Sequence, residues 1–247
     1  MRARFSTWHQ NLAAWQLAGP AAVLLIVLYA LPILGLVALS TTDYELGATS
    51  VHWVGFQNFF KASNDAVFLR SMKNTLLYVG MVIPLSVTLG LVMALLVHTR
   101  RRSRGFYEVA YFLPVTATLI AMATVWQFLL HPKLGPVNTL LQLLGVAPQA
   151  FISEPGLVMP TLAFIGVWQL LGFNMVLFLA GLSNIPSDLY DAAAIDGADS
   201  AWDKFWVVTW PQLAPTTLFV TVTTSITAFK VFETVAALTQ GRSGSEV

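Results

Sequence analysis

The alternation of apolar and polar positions divides this 247-residue chain into long apolar stretches separated by shorter polar segments. A bilayer core about 30 Å thick takes about 20 helical residues to cross, so windows of that length almost without Asp, Glu, Lys or Arg are candidate spans. Five such windows stand at residues 14–40, 74–98, 106–130, 157–182 and 213–238, the last carrying Lys230 and Glu233 near its end. Each is expected to be helical, because an isolated strand leaves its backbone unpaired in lipid. The pattern predicts an all-α integral membrane protein, a polytopic helical bundle of about five spans forming one transmembrane domain over residues 1–247. Pro20, Pro32, Pro84, Pro114 and Pro160 lie inside or at the ends of the windows. Membrane helices tolerate them as kinks or first-turn residues.

Composition supports a membrane solvent. Hydrophobic residues make up 56% of the chain and charged residues only 10%, against about 25% charged in a soluble domain. A net charge of +1 excludes the massed basic surface that nucleic acid requires, so no nucleic-acid partner is expected and the bilayer itself is the first partner. The absence of cysteine removes disulfide frameworks, thiolate metal sites and cysteine nucleophiles.

Basic residues set the expected orientation. Arg2 and Arg4 precede the first window, and Arg100, Arg101, Arg102 and Arg104 separate the second from the third. The positive-inside tendency places both groups in the cytoplasm, with the N-terminus inside, residues 41–73 and 131–156 outside, and residues 183–212 inside. The first window is too long for a removed signal peptide and reads as a retained anchor. The outer segment from Asp43, Tyr44 and Glu45 to Trp53, Phe56, Phe59 and Phe60 mixes aromatic and polar groups. That mixture suits a membrane interface, with receptor docking as the alternative.

Residues 183–212 carry the most distinctive chemistry. Five aspartates, Asp188, Asp191, Asp196, Asp199 and Asp203, face a single Lys204. Pro186 with Ser187 or Asp188 marks a helix start, and Asp196-Gly197 a sharp turn. A second helical run is expected from Ala198 to about Val208, with Pro211 stopping it or restarting the chain into the next span. Leu189, Tyr190, Ile195, Trp202, Phe205 and Trp206 would anchor the pair against the membrane, while Ala192, Ala193, Ala194 and Ala198 allow another backbone to approach closely. From the residues alone, a docking knob and a solvated amphipathic pair both remain open.

Asp191-Ala192-Ala193 followed by Asp196-Gly197-Ala198, then Phe205 and Pro211, resembles the cytoplasmic EAA loop of ATP-binding-cassette importer permeases, in particular the carbohydrate-uptake group that includes maltose and glycerol-3-phosphate permeases. Leu134-Gly135-Pro136-Val137-Asn138, Trp168, Gly172-Phe173, Ala180-Gly181-Leu182 and Phe229-Lys230-Val231-Phe232-Glu233 extend the similarity along the chain. The resemblance implies that the loop is a coupling helix seated in a groove of a separate ATPase. Asp191 would be its acidic docking residue, Ala192 and Ala193 its close-packed face, and Gly197 the turn, with Asp196 and Ala198 beside it. It also implies a second permease subunit, cytoplasmic ATP-binding subunits, an extracytoplasmic solute-binding protein, and residence in the cytoplasmic membrane of a bacterium or archaeon.

Departures from the family pattern are Asp191 in place of Glu, and Phe205 and Pro211 one residue further along. The pattern also leads from a Gly-Gly-Pro-like turn into a sixth span, whereas here Gly241 is followed by Arg-Ser-Gly-Ser-Glu-Val. The expectation on this count is a shortened permease with an outer C-terminus.

No Gly-x-x-x-x-Gly-Lys-Ser/Thr phosphate cradle occurs, so ATP hydrolysis is assigned to a partner and no cofactor is expected on this chain. His9, His52, His98 and His131 are scattered, without metal-ligand spacing. Polar groups within spans are the solute-path candidates: Gln169, Asn174, Lys230 and Glu233, the last two also able to pair at i, i+3 as an interfacial salt bridge. The reading that follows is an importer permease for a sugar or related solute, working by alternating access. A secondary transporter and a membrane scaffold or inactive truncated permease are the alternatives.

Overall fold

The computed structural model describes residues 15–47, 50–100 and 102–230. Two packing units divide the chain, residues 1–69 and 70–247. Among the described residues, three helices are long and apolar enough to cross a membrane, or four if one bent pair forms a single span.

In the first unit, α1 (Trp15–Leu39) is apolar on every side. Its middle widens into a π turn, Ile26–Ala30, where the Leu31 N–H reaches back to the Ile26 carbonyl. Pro32 explains the widening, since a proline lacks an N–H and its ring crowds the carbonyl four residues back. Beyond α1, Thr42 and Trp53 form an isolated antiparallel bridge. Asp43 holds it: its carboxylate accepts the His52 N–H at 2.6 Å and meets His52 Nδ1 at 3.1 Å. The His52 amide, followed by the His52 ring, lowers the Asp43 pKa below 3.8. Asn58, in α2 (Gln57–Asn64), donates to the carbonyls of Ser40 and Thr42 and fixes the start of this segment.

The second unit is organised around the part of α3 (Ala66–His98) from Arg70 onward and α7 (Pro155–Ser183), the first turn of α3 belonging to the first unit. Asp65 starts α3 by accepting the N–H groups of Val67 and Phe68. The third apolar window is a single span by pattern but two helices in the structure, α4 (Arg104–Thr116) and α5 (Leu119–Leu129), whose axes turn by 99°. Ala117 and Thr118 are extended, and the Thr118 hydroxyl caps α5 by accepting the Ala121 N–H. Threonine can offer this local alternative to helix continuation, which apolar periodicity does not register. Nor is that window charge-free. Glu108 accepts a hydrogen bond from Arg104 at 2.7 Å, one helical turn away.

A short helix, α6 (Pro136–Leu143), lies between α5 and α7 in the chain. Its buried Asn138 donates to the carbonyls of His131 and Gln149 and accepts the Gln149 N–H at 2.7 Å, pinning both flanks of the 131–154 segment. The interior of α7 supplies residues to two core clusters. One gathers Tyr78 and Val82 of α3, Ala123 of α5 and Leu162 and Ile165 of α7; the other gathers Ala94 of α3, Met175 and Phe178 of α7, and Leu213 and Val220 further on. Contact with α4 is closest at Gly172, where a Cβ would fall on the Tyr111 carbonyl oxygen, so only glycine fits.

α8 (Ser187–Ile195) follows, and then α9, continuous over residues 201–229. The fifth window is thus helical to Phe229, but its later residues lie outside the described region.

Candidate functional site

The 183–212 segment is built as a helix, a tight turn and a second helix. α8 starts after Pro186 with Asp188 in its first turn, where the helix dipole favours an acid. At its other end the Ala198 N–H donates to the Ala193 carbonyl at 2.8 Å and the Gly197 N–H to the Ala194 carbonyl at 3.2 Å. With Gly197 at φ +94°, this is the Schellman arrangement, and glycine is there because the left-handed backbone disfavours any Cβ. Ala193 and Ala198 are the apolar pair that closes such a motif, and both are buried against Val208. These two alanines therefore build the turn from within. Asp191, Ala192, Asp196 and Gly197 stay exposed, and Ile195 at the end of α8 is 87% exposed.

The second helix begins three residues later than its pattern suggests. Ser200 caps it reciprocally: its hydroxyl accepts the Asp203 N–H at 3.0 Å, and the Asp203 carboxylate accepts the Ser200 N–H at 3.3 Å. Nor does Pro211 end it. Ala201–Lys204 passes through a π turn, Phe205–Thr209, into Trp210–Phe229, the Trp210 N–H reaching the Phe205 carbonyl. The wide turn again accommodates a proline just beyond it, so the loop helix and the helix of the fifth window are continuous. Thr209, buried within the π turn, shares a 3.0 Å hydrogen bond with the Tyr190 hydroxyl. α8 is thereby tied to the base of α9 by backbone, packing and side chain.

A second site lies in the bundle. Trp126 of α5 meets Phe164 and Trp168 of α7 edge-to-face, at centroid distances of 5.8 and 5.4 Å. Beside these rings opens a cleft of about 330 Å³ lined by Ala117, Ala121, Met122, Val125, Trp126, Leu129 and Trp168. Ala117 reaches it because α4 and α5 separate there. Trp168 stands fifteen residues before the end of α7, about 22 Å along the axis at 1.5 Å per residue, close to mid-helix. The tryptophans are visible in the sequence, but their convergence depends on the helix break.

Of the four solute-path candidates, the three described ones, Gln169, Asn174 and Lys230, share no hydrogen bond and no cavity lining. Gln169 is half-buried and lines neither this cleft nor its neighbour. Asn174 is wholly buried, between Gly90 of α3 and Thr224 of α9. Its Oδ1 accepts the Thr224 hydroxyl at 3.0 Å and its Nδ2 has no partner among the described residues. Lys230 is exposed at the end of α9, and Glu233 lies outside the described residues.

Residues 83–245 match the family of binding-protein-dependent transport system inner membrane components. The chain belongs to that family. Its permease fold and inner-membrane location follow, and the 183–212 loop lies within the matched region. Among similar proteins, the osmoprotective compounds uptake permease protein GgtC of Synechocystis sp. is 34% identical over 234 residues, covering 92% of this chain and 82% of that one. The lactose transport system permease protein LacF of Rhizobium radiobacter is 29% identical over 239 residues, with 96% and 79% covered. The fold is shared with a chain from the crystal structure of a bacterial ABC transporter involved in the import of the acidic polysaccharide alginate, at a TM-score of 0.71 and 22% identity, over 97% of this chain and 87% of that one. Family permeases are membrane components of importers and not themselves enzymes. Sequence and fold thus agree on transport, and the residues on which it depends are the next question.

Proposed function

We propose that this permease imports a sugar or related small solute by alternating access, driven by a separate ATPase that docks on α8. The observation that carries the reading is the construction of the 183–212 loop: Asp191, Ala192, Ile195, Asp196 and Gly197 form an exposed knob. Ala193, Ala198 and the Tyr190–Thr209 bond fix that knob to the span helix α9. A push on the knob is transmitted along a continuous helix, as coupling between two discrete arrangements requires. Ala193 and Ala198 act in docking by shaping the knob, and Asp191 and Asp196 by offering negative charge to the partner.

The solute path runs past Trp126 and Trp168. Indole faces suit the apolar C–H face of a sugar ring, and lactose transport by the relative LacF agrees with that class. Gln169 follows Trp168 in sequence and supplies an amide near this level. Asn174 meets solute only when α3 and α9 part, its free Nδ2 then finding a hydroxyl to bond. Lys230, exposed at the end of α9, is the charged group at the far end of the path, with Glu233 its expected partner in sequence. A second permease, two ATP-binding subunits and an extracytoplasmic solute-binding protein complete the assembly. The N-terminus lies in the cytoplasm, on the side of the 183–212 loop.

Reconstitution of the chain with its permease and ATPase partners in liposomes tests this reading. Uptake is expected to require both ATP hydrolysis and the solute-binding protein. Uptake driven by a proton or sodium gradient alone would overturn it.

A further inference from the structure

α9 meets α7 along one stripe, on which Leu213, Thr217, Val220, Thr224 and Ala228 recur at helical spacing. Leu213 and Val220 are fully buried among Met175 and Phe178 of α7 and Ala94 of α3, and Gly181 of α7 closes on Leu213 and Thr216. Both buried side-chain groups that lack a hydrogen-bond partner among the described residues belong to this seam: the Thr217 hydroxyl and Asn174 Nδ2. On the same helix, the hydroxyls of Thr223, Ser225 and Thr227 bond back to the carbonyls of Phe219, Thr221 and Thr223, the usual recourse in an apolar helix. That of Thr217 does not. Turning the Asn174 amide over would exchange which end meets Thr224 and still leave the other end single. Closing the seam therefore strips the Thr217 hydroxyl and Asn174 Nδ2 of hydration with no bond gained in exchange.

The other contacts of α7 are built differently. Gly166 meets Tyr78 of α3, Gly90 of α3 meets the backbone of Asn174 and Met175, and Gly172 meets the Tyr111 carbonyl of α4, each so closely that a Cβ would collide. Shape alone holds α3 and α4 against the α7 backbone, whereas α9 is the helix that carries the α8 knob. We infer that α9 moves against the paired helices α3 and α7 during transport, and that Asn174 and Thr217 are positioning residues that make this seam the one to part, an inference resting on the alternating access proposed above. Once the seam opens, Asn174 Nδ2 and the Thr217 hydroxyl meet water or a solute hydroxyl, which offsets part of the apolar packing lost at Leu213 and Val220. The two arrangements are thereby brought close in free energy, and a push delivered through α8 chooses between them.

The test uses the complex assembled with its permease and ATPase partners in liposomes. Thr217→Val, an apolar change of the same shape away from the solute candidates, is expected to raise the thermal unfolding midpoint and to slow ATP-driven uptake severalfold, with ATPase co-purification unchanged. Thr217→Ser keeps the hydroxyl and is expected to restore both. Because the chain has no cysteine, Val220→Cys reports on the seam. Its thiol is expected to react faster with a water-soluble methanethiosulfonate when ATP is added, and Thr217→Val in the same chain to remove that acceleration. Asn174→Leu, read by unfolding alone because Asn174 also lies on the solute path, is expected to raise the midpoint. A lower midpoint in Thr217→Val or Asn174→Leu, unchanged uptake in Thr217→Val, or a thiol reaction independent of ATP while uptake stays ATP-driven would overturn the proposal. Uptake that needs no ATP would instead sink the ATP-driven reading, and this one with it.

Discussion

Two turns of π helix, at Ile26–Ala30 and Phe205–Thr209, precede Pro32 and Pro211 by the same spacing, yet their surroundings differ. In α1 the residues of the turn are all exposed. In α9 the turn buries Val208 and Thr209, and Thr209 is bonded to Tyr190 of the neighbouring helix. The first is a local answer to a proline in a helix. The second uses the same answer to set the register between α8 and α9, so a local distortion becomes part of a tertiary joint.

The largest effect should come from breaking what the second joint carries. Gly197→Pro removes the N–H bonded to Ala194 and a backbone at φ +94°, at a cost of about 3 kcal/mol to the local structure. ATP-dependent uptake should be lost while membrane insertion, measured by protease accessibility and fractionation, persists. Asp191→Lys leaves the turn intact and reverses a charge on the exposed knob, so ATPase co-purification should fall by about tenfold or more. Normal ATPase association in both variants would remove the docking role.

The two prolines provide the direct contrast. Pro211→Ala permits the π turn to relax, and losing its extra residue would rotate Thr209 by about 100° away from Tyr190. Pro32→Ala permits the same change with no such bond to lose. Hydrogen exchange in α8 should rise in the first variant and stay unchanged in the second. Smaller still is the bond by itself. Tyr190→Phe and Thr209→Val should each cost about 1 kcal/mol, with the double variant costing less than the sum. Tyr29→Phe in the first π turn should cost nothing measurable by thermal unfolding.

The smallest effect concerns the 42–53 bridge. Because the His52 amide lowers the Asp43 pKa below 3.8, its ionised carboxylate favours the folded segment. That contribution is complete above the unfolded value and fades as pH falls through the lowered one. The protection factor of the His52 amide, the intrinsic exchange rate divided by the observed rate at each pH, should therefore be constant near neutrality and fall only in acid.

Much of this architecture is legible from residue pattern. Asp196-Gly197 marks the turn because few sequences meet a left-handed residue after a helix as cheaply, and Pro186 marks the start of α8. Where the pattern misleads, a local interaction outweighs periodicity: Thr118 caps a helix inside an apolar window, and a π turn carries α9 through Pro211. Ala193 and Ala198 are recognisable as small residues, but their burial could not be read from size. The same applies to Asn174, whose position between α3 and α9 joins residues 84 and 50 positions away in the chain.

The sequence by itself determined that this chain lives in a membrane, that its loop at 183–212 folds as helix, turn and helix, and that its family is one of importer permeases. Hydropathy, turn chemistry and motif spacing are local properties, readable without coordinates. Only the tertiary structure decided that the loop and the last described helix are continuous, that Trp126 and Trp168 share a cleft, and which side of the loop stays exposed. Those outcomes depend on how residues far apart in the chain compete for the same space, and no local pattern records that competition.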